Sequence, residues 1–412
     1  MSAVARALAA AAAVACVFAP SATPASNHAL RQVVAYQSAT QLHALERSGA
    51  RVVRRLPALH SAVVESTQRV GARPVLRRAQ VVDEPALAET FLPGVAWEWQ
   101  WDAANMAAVP DWVLRAAKSV TVAVVDSGAD VRAPDLADKS PATWSVLSRS
   151  HRVRDNLGHG TFVASLAAGS VENGVGISGF GGDAKLLVVQ AIDSDGFITD
   201  VDEATAIVYA VKLGARIVNL SLGGPETSPI ERRAIRWAAK RGVLIVASAG
   251  NGYEEGNAVE YPAALLQPVG SRGRGGFGLA VGATQLDGTR APFSNTGSYL
   301  SLAAPGSNVF AAISSESAWP RADLPWVSPG YYGWASGTSF SAPLVAGAAA
   351  LVWAVDPDLS ASQVSSILKR SASGNGWNPQ LGWGRLDVAA AVELATRTAP
   401  SQRHAILNSR GR

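Results

Sequence analysis

The chain of 412 residues carries 36 Lys plus Arg against 32 Asp plus Glu, a formal net charge of +4, and a single cysteine. The basic excess is confined to its first part: up to Glu84 there are ten basic and four acidic residues, and the remaining 26 and 28 leave about −2, so the overall charge argues for neither nucleic acid nor membrane as a partner. Cys16 lies in an N-terminal apolar run expected to be removed, which excludes both disulfide staples and a thiol nucleophile from what remains.

Arg6 is the only early charge, and residues 7–19 form a small-residue apolar run of signal-peptide length followed by a cleavage region at 20–25. Residues 26–88 read as a small separate α+β unit. It has strands at 33–36, 50–53, 61–64 and 75–82, and a helix at 40–48 with Leu42 and Leu45 inward. Trp97, Trp99 and Trp101 are expected to pack an arm onto a larger domain spanning 89–397.

Val122-Ala123-Val124-Val125 is a short buried strand that gives way to a loop at Asp126, the carboxyl edge where α/β sheets place their sites. Gly158-His159-Gly160-Thr161 then leads into a helical spacing with His159 just ahead of it. Strands at 185–190, 216–220, 243–247 and 277–283 alternate with helices near 201–213 and 229–241. That alternation predicts a mostly parallel sheet flanked by helices in three layers. The run from Trp334 to Val355 is apolar on every side but too short and glycine-broken to span a bilayer. It reads as a central core helix entered through Gly337-Thr338-Ser339, with Pro343 in its first turn. The tail at 398–412 is short and polar, with no hydrophobic anchor.

Each of three residues has an ordinary reading: Asp126 as a cap, His159 as a satisfied core residue, Ser339 as an N-cap. Their chemistry fits together. Serine is a weak nucleophile that needs a neutral imidazole to take its proton, and the imidazole needs a carboxylate to hold its tautomer. Asn251 turns off the carboxyl end of the 244–247 strand and can bring an amide donor toward the same place.

Val124-Val125-Asp126-Ser127-Gly128, Gly158-His159-Gly160-Thr161, Ser221-Leu222-Gly223-Gly224, Ala249-Gly250-Asn251 and Gly337-Thr338-Ser339-Phe340-Ser341-Ala342-Pro343 together resemble the ordered signature of the subtilisin-like serine peptidases. The resemblance covers roughly 95–395. It implies Asp126 as orienting carboxylate, His159 as general base, Ser339 as nucleophile and Asn251 as oxyanion donor. It further implies that Ser221, Leu222, Gly223, Gly224, Ala249 and Gly250 wall the pocket for an extended peptide substrate. Glu260, just before Tyr261-Pro262, would stand at the base of that pocket and favour Arg or Lys there. Asp135, Asn173 and the carbonyls of Val171, Val175 and Ile177 resemble the family's structural calcium loop, which interrupts the helix after His159.

The 26–88 unit resembles the inhibitory propeptide of such zymogens, with the cut expected between Gln80 and Pro93. The whole implies a secreted, monomeric endopeptidase without a membrane anchor. The alternative is a catalytically silent homologue that only binds peptides. Departures from the pattern are Phe162, Ser165 where the family has glycine under the S2 region, and an insertion at 265–276.

Overall fold

The computed structural model describes residues 29–70, 73–75, 77–79, 97–319 and 331–399. The expected signal segment, the 80–93 processing region and tail residues 400–412 lie outside the described residues.

Seven strands form one sheet in the spatial order Leu302–Pro305, Gly278–Thr284, Leu244–Ser248, Ile217–Leu220, Thr121–Asp126, Lys185–Gln190, Ala142–Ser145. Every neighbouring pair is parallel. Their β-rich, nearly continuous apolar sequences suit strands covered on both faces. Alternation then divides them between two cores. Val122, Ile217 and Val246 join one, Ala123, Val218 and Ile245 the other. The first core packs against the helices His159–Ala168 and Thr338–Val355, the second against Asp200–Lys212 and Pro229–Ala239.

From Thr121–Asp126 the chain first builds toward the Ala142–Ser145 edge and then, from Ile217–Leu220 onward, toward the other. The crevice between these two central strands is therefore the topological switch point, where open α/β sheets hold their sites. The run expected to be too short to span a bilayer forms, among the described residues, the one helix that is long and apolar enough to do so, Thr338–Val355. With 94% of its apolar window buried inside the protein, it is a core helix, as its all-round hydrophobicity predicts.

The N-terminal unit is a four-stranded sheet of Leu30–Ala35, Arg51–Leu56, Ser61–Ser66 and Arg73–Pro74 with one helix, Ala39–Arg47. Its pairing departs from expectation in one respect. The unit's fourth strand is Arg73–Pro74, ahead of the strand read at 75–82; of the latter, Arg77–Ala79 leaves the unit and pairs antiparallel with Phe197–Thr199 of the large domain. Leu56, Leu59 and Val63 bury into the large domain's second core, and Arg54 pairs with Asp202 across the junction. The tryptophan arm packs as expected, with Trp97 edge-on to Phe310 at 5.7 Å and Trp101 edge-on to Phe180 at 5.6 Å.

Candidate active site

Asp126 ends its strand fully buried, and its Oδ1 accepts from His159 Nδ1 at 2.7 Å and from the Ser127 backbone N–H at 2.7 Å. His159 is the first residue of its helix rather than a residue ahead of it. The imidazole is thus held by Nδ1 with Nε2 as its second face, the tautomer a general base needs. Phe340 lies against it, ring centroids 5.6 Å apart, which brings the start of the Thr338–Val355 helix alongside.

Ser339 is the second residue of that helix, and Gly337 is its N-cap. Pro343 falls at the sixth helical position, inside the helix and not in its first turn. The proline has no N–H for the Ser339 carbonyl four residues back, and the Ser221 hydroxyl donates to that carbonyl instead, at 2.6 Å. In return the Ser339 hydroxyl lies 3.4 Å from the Ser221 carbonyl. A helix interruption is thereby converted into a tether between nucleophile and substrate wall.

Asn251 accepts through Oδ1 from the Thr338 N–H at 2.9 Å and the Thr338 hydroxyl at 2.8 Å. Its other amide atom is the NH₂, left as a donor next to Ser339. The Thr338 hydroxyl also accepts from the Gly250 N–H at 3.1 Å, joining the turn to the helix.

The predicted pocket residues come together. Ser221 and Leu222 are buried, Gly224 exchanges backbone hydrogen bonds with Tyr261 at 3.1 and 2.9 Å, and the Ala249 carbonyl accepts from the Tyr299 hydroxyl at 3.0 Å. Glu260 is 8% exposed and stands between the two walls. A Cβ added at Gly223 would lie 2.6 Å from its Oε2, and one at Gly250 2.4 Å from its Oε1. Gly250 also has φ +105°, so glycine is required there on both counts. The Asn295 amide donates to Glu260 Oε1 at 3.4 Å.

Asp135 is buried, and its Oδ1 accepts from the Ile177 N–H at 3.3 Å and the Asn173 amide at 3.4 Å. The loop holding Val171 and Val175 follows the helix rather than interrupting it, since the helix ends at Ala168. Sequence reasoning missed Glu98, which enters this site from the tryptophan arm and accepts from the Ser178 N–H at 2.9 Å. Desolvation pushes Glu98 up to about 7 and Asp135 up to about 6, the nearby Asp135 charge adding to the rise in Glu98. Two carboxylates held so close to neutrality make an oxygen-only donor set suited to a hard cation. Among the described residues, no group of three or more His, Cys, Asp or Glu side chains is placed to hold a metal ion. Ser165 is buried within the His159 helix. Its hydroxyl accepts from the Ala312 N–H at 3.2 Å and ties the His159 helix to the strand Val309–Ala312.

The fold and this arrangement define a class. Residues 117–384 match Peptidase S8, the subtilase family, and the chain belongs to it. Among its relatives, it is 31% identical to thermitase of Thermoactinomyces vulgaris over 284 residues, 68% of this chain and 91% of thermitase. It is 34% identical to subtilisin BL of Lederbergia lenta over 273 residues, 66% of this chain and 90% of that protein. Fervidolysin from Fervidobacterium pennivorans, a keratinolytic enzyme related to subtilisin, superposes with a TM-score of 0.74 at 23% identity. That match covers 89% of this chain and 61% of fervidolysin, and speaks to the fold. The chain is a serine-type endopeptidase of the subtilase family.

Proposed function

We propose that this endopeptidase is exported as a self-inhibited zymogen and cleaves peptides through an acyl-enzyme, with Ser339 as nucleophile, His159 as general base and then acid, and Asp126 as orienting carboxylate. The reading rests on one observation above all: the buried 2.7 Å Asp126–His159 contact, against which Phe340, the residue after Ser339, packs its ring. Ser339 attacks the scissile carbonyl as His159 takes its proton. The oxyanion is met by the Asn251 amide and by the backbone N–H of Ser339 at the helix N-terminus. His159 then protonates the leaving amine, and water repeats the sequence on the acyl-enzyme.

Glu260 gives the pocket between Gly223 and Gly250 a preference for Arg or Lys, because a charge-assisted hydrogen bond at a buried site discriminates more strongly than apolar contact. Glu98, Asp135 and Asn173, with loop carbonyls, hold a structural calcium ion. Calcium supplies charge that the two carboxylates otherwise lack, and it takes no part in the chemistry.

Self-inhibition is supported by the Arg77–Ala79 strand on the Phe197–Thr199 edge. An extended segment adds to an exposed edge in this way, which holds the N-terminal unit on the large domain. The protein would act as a monomer outside the cell. Expression of residues 26–412 beside Ser339→Ala, followed by mass over time, tests the whole reading. The parent sheds a piece of propeptide size and the alanine variant stays whole. If both stay whole while folded, and a trimmed form resists a fluorophosphonate probe, the silent-homologue reading replaces this one.

A further inference from the structure

A second buried carboxylate stands behind the triad. Asp155 is 1% exposed and takes four hydrogen bonds: from the Ser127 hydroxyl at 2.7 Å and the Gly158 N–H at 2.9 Å on Oδ1, and from the Thr161 N–H at 2.7 Å and hydroxyl at 2.6 Å on Oδ2. Burial pushes its carboxyl up from the ordinary range, and the bonds from Thr161 and Ser127 oppose that rise. Both hydroxyls are already acceptors, Ser127 from the Gly160 N–H and Thr161 from the Asp130 N–H, each at 2.9 Å. The Thr161 hydroxyl donates to Asp155, the Ser127 hydroxyl has Asp155 as its nearer acceptor at 2.7 Å against 3.2 Å for Asp126, and with two backbone N–H donors besides, the surroundings favour the carboxylate form.

The partners of Asp155 are unusual in where they lie. Gly158 and Thr161 flank His159 in the first turn of its helix, whose N-cap glycine has no side chain to satisfy those amides. Ser127 follows Asp126, and its Oγ is also 3.2 Å from Asp126 Oδ1. One carboxylate thus ties the end of the Asp126 strand to the start of the His159 helix.

We propose that Asp155 is a positioning residue for the catalytic pair: it locks the register of Asp126 against His159, and its charge adds to that of Asp126 in stabilising the imidazolium formed during turnover. The proposal rests on the peptidase reading above. A charge one hydroxyl away, in an interior closed to water, is little screened. Asp130 is engaged by Arg132, Glu316 is paired with Arg132, and the rings of Phe340 and Trp319 lie against the imidazole. None of these changes in the variants below.

The test compares the activated parent with Asp155→Asn and Ser127→Ala, using active-site titration with a fluorophosphonate, turnover of a chromogenic peptide and the pH profile of kcat/KM. The amide introduced by Asp155→Asn would turn an NH₂ toward donors and remove the charge. The expected result is kcat per titrated site lower by about 10²-fold with KM nearly unchanged, the cost of a small misplacement of reacting groups. The acid limb of the profile moves to lower pH, since the imidazolium loses a stabilising anion. Ser127→Ala cuts the tether but keeps the charge, so kcat falls while the acid limb stays. A labelled parent whose Asp155→Asn form keeps both kcat per site and acid limb overturns the proposal. Should that variant fail to mature, unchanged kcat in Ser127→Ala overturns it instead. An unlabelled parent sinks the peptidase reading, and this inference with it.

Discussion

Asn251 can serve an oxyanion only because Thr338 grips the other end of its amide with two donors. Replacement by alanine removes the donor and leaves Thr338 unanswered, so kcat falls while KM holds, as expected for an interaction made in the transition state. In subtilisin the loss of one such donor costs about 10²–10³-fold in turnover, and a fall of that order is expected. Steady-state kinetics of Asn251→Ala check it. A rise in KM with kcat intact would mean the amide binds substrate uniformly and holds no oxyanion.

Glu260 makes the second residue-level prediction. In Glu260→Gly the ratio of kcat/KM for Lys or Arg over Leu at P1 falls at least tenfold, in line with one charge-assisted hydrogen bond of about 1.5–3 kcal/mol. Profiling with matched peptides that finds the ratio unmoved removes Glu260 from the pocket floor. The positions of Asp126, His159, Ser339 and Glu260 were legible because each sits beside glycines at a strand or helix end or beside a turn pair, a local signal. Glu98 and Asp155 were not. Each reads as one more solvated acid in its own segment, and only the tertiary fold shows that one meets Asp135 and the other Ser127 and Thr161.

The calcium loop and the tryptophan arm act as elements. Glu98 and Asp135 bind protons more tightly in the folded chain than in the unfolded one, where both titrate in the ordinary carboxylate range. Without a cation, the folded state therefore holds more protons as pH climbs from that range toward about 7, and stability falls across this window. Above it both charges are buried uncompensated, and calcium has most to offer. Thermal unfolding of the Ser339→Ala zymogen should show a larger rise in Tm on adding calcium at pH well above 7 than well below 6, shrinking in Glu98→Gln. An equal rise at both pH values would assign the ion elsewhere. The element order was readable from apolar runs and their length, since buried parallel strands are short and continuous. The break at Val75 was not, because the sequence from 73 to 79 keeps one extended character while its partners change from one sheet to another.

At the scale of the whole molecule, the docked N-terminal unit bears on how the large sheet forms at all. Its own pairs are close in sequence, Leu56 with Ser61 for example, whereas the large sheet joins Thr121 to Lys185 and Ile217 to Val122. Low contact order favours rapid folding, and distant parallel pairings must wait on the closure of long loops. The small sheet is thus the faster half, and it presents Leu56, Leu59 and Val63 as a ready apolar face. The helices Asp200–Lys212 and Pro229–Ala239 share a core with that face, so a preformed face would order the segments that flank the Ile217–Leu220 strand. If the unit is removed after folding, as proposed above, the template goes but not the product. An enzyme so processed would be left on the folded side of a barrier it no longer readily recrosses. With no cysteine after position 16, its working lifetime is governed by the height of that barrier rather than by cross-links.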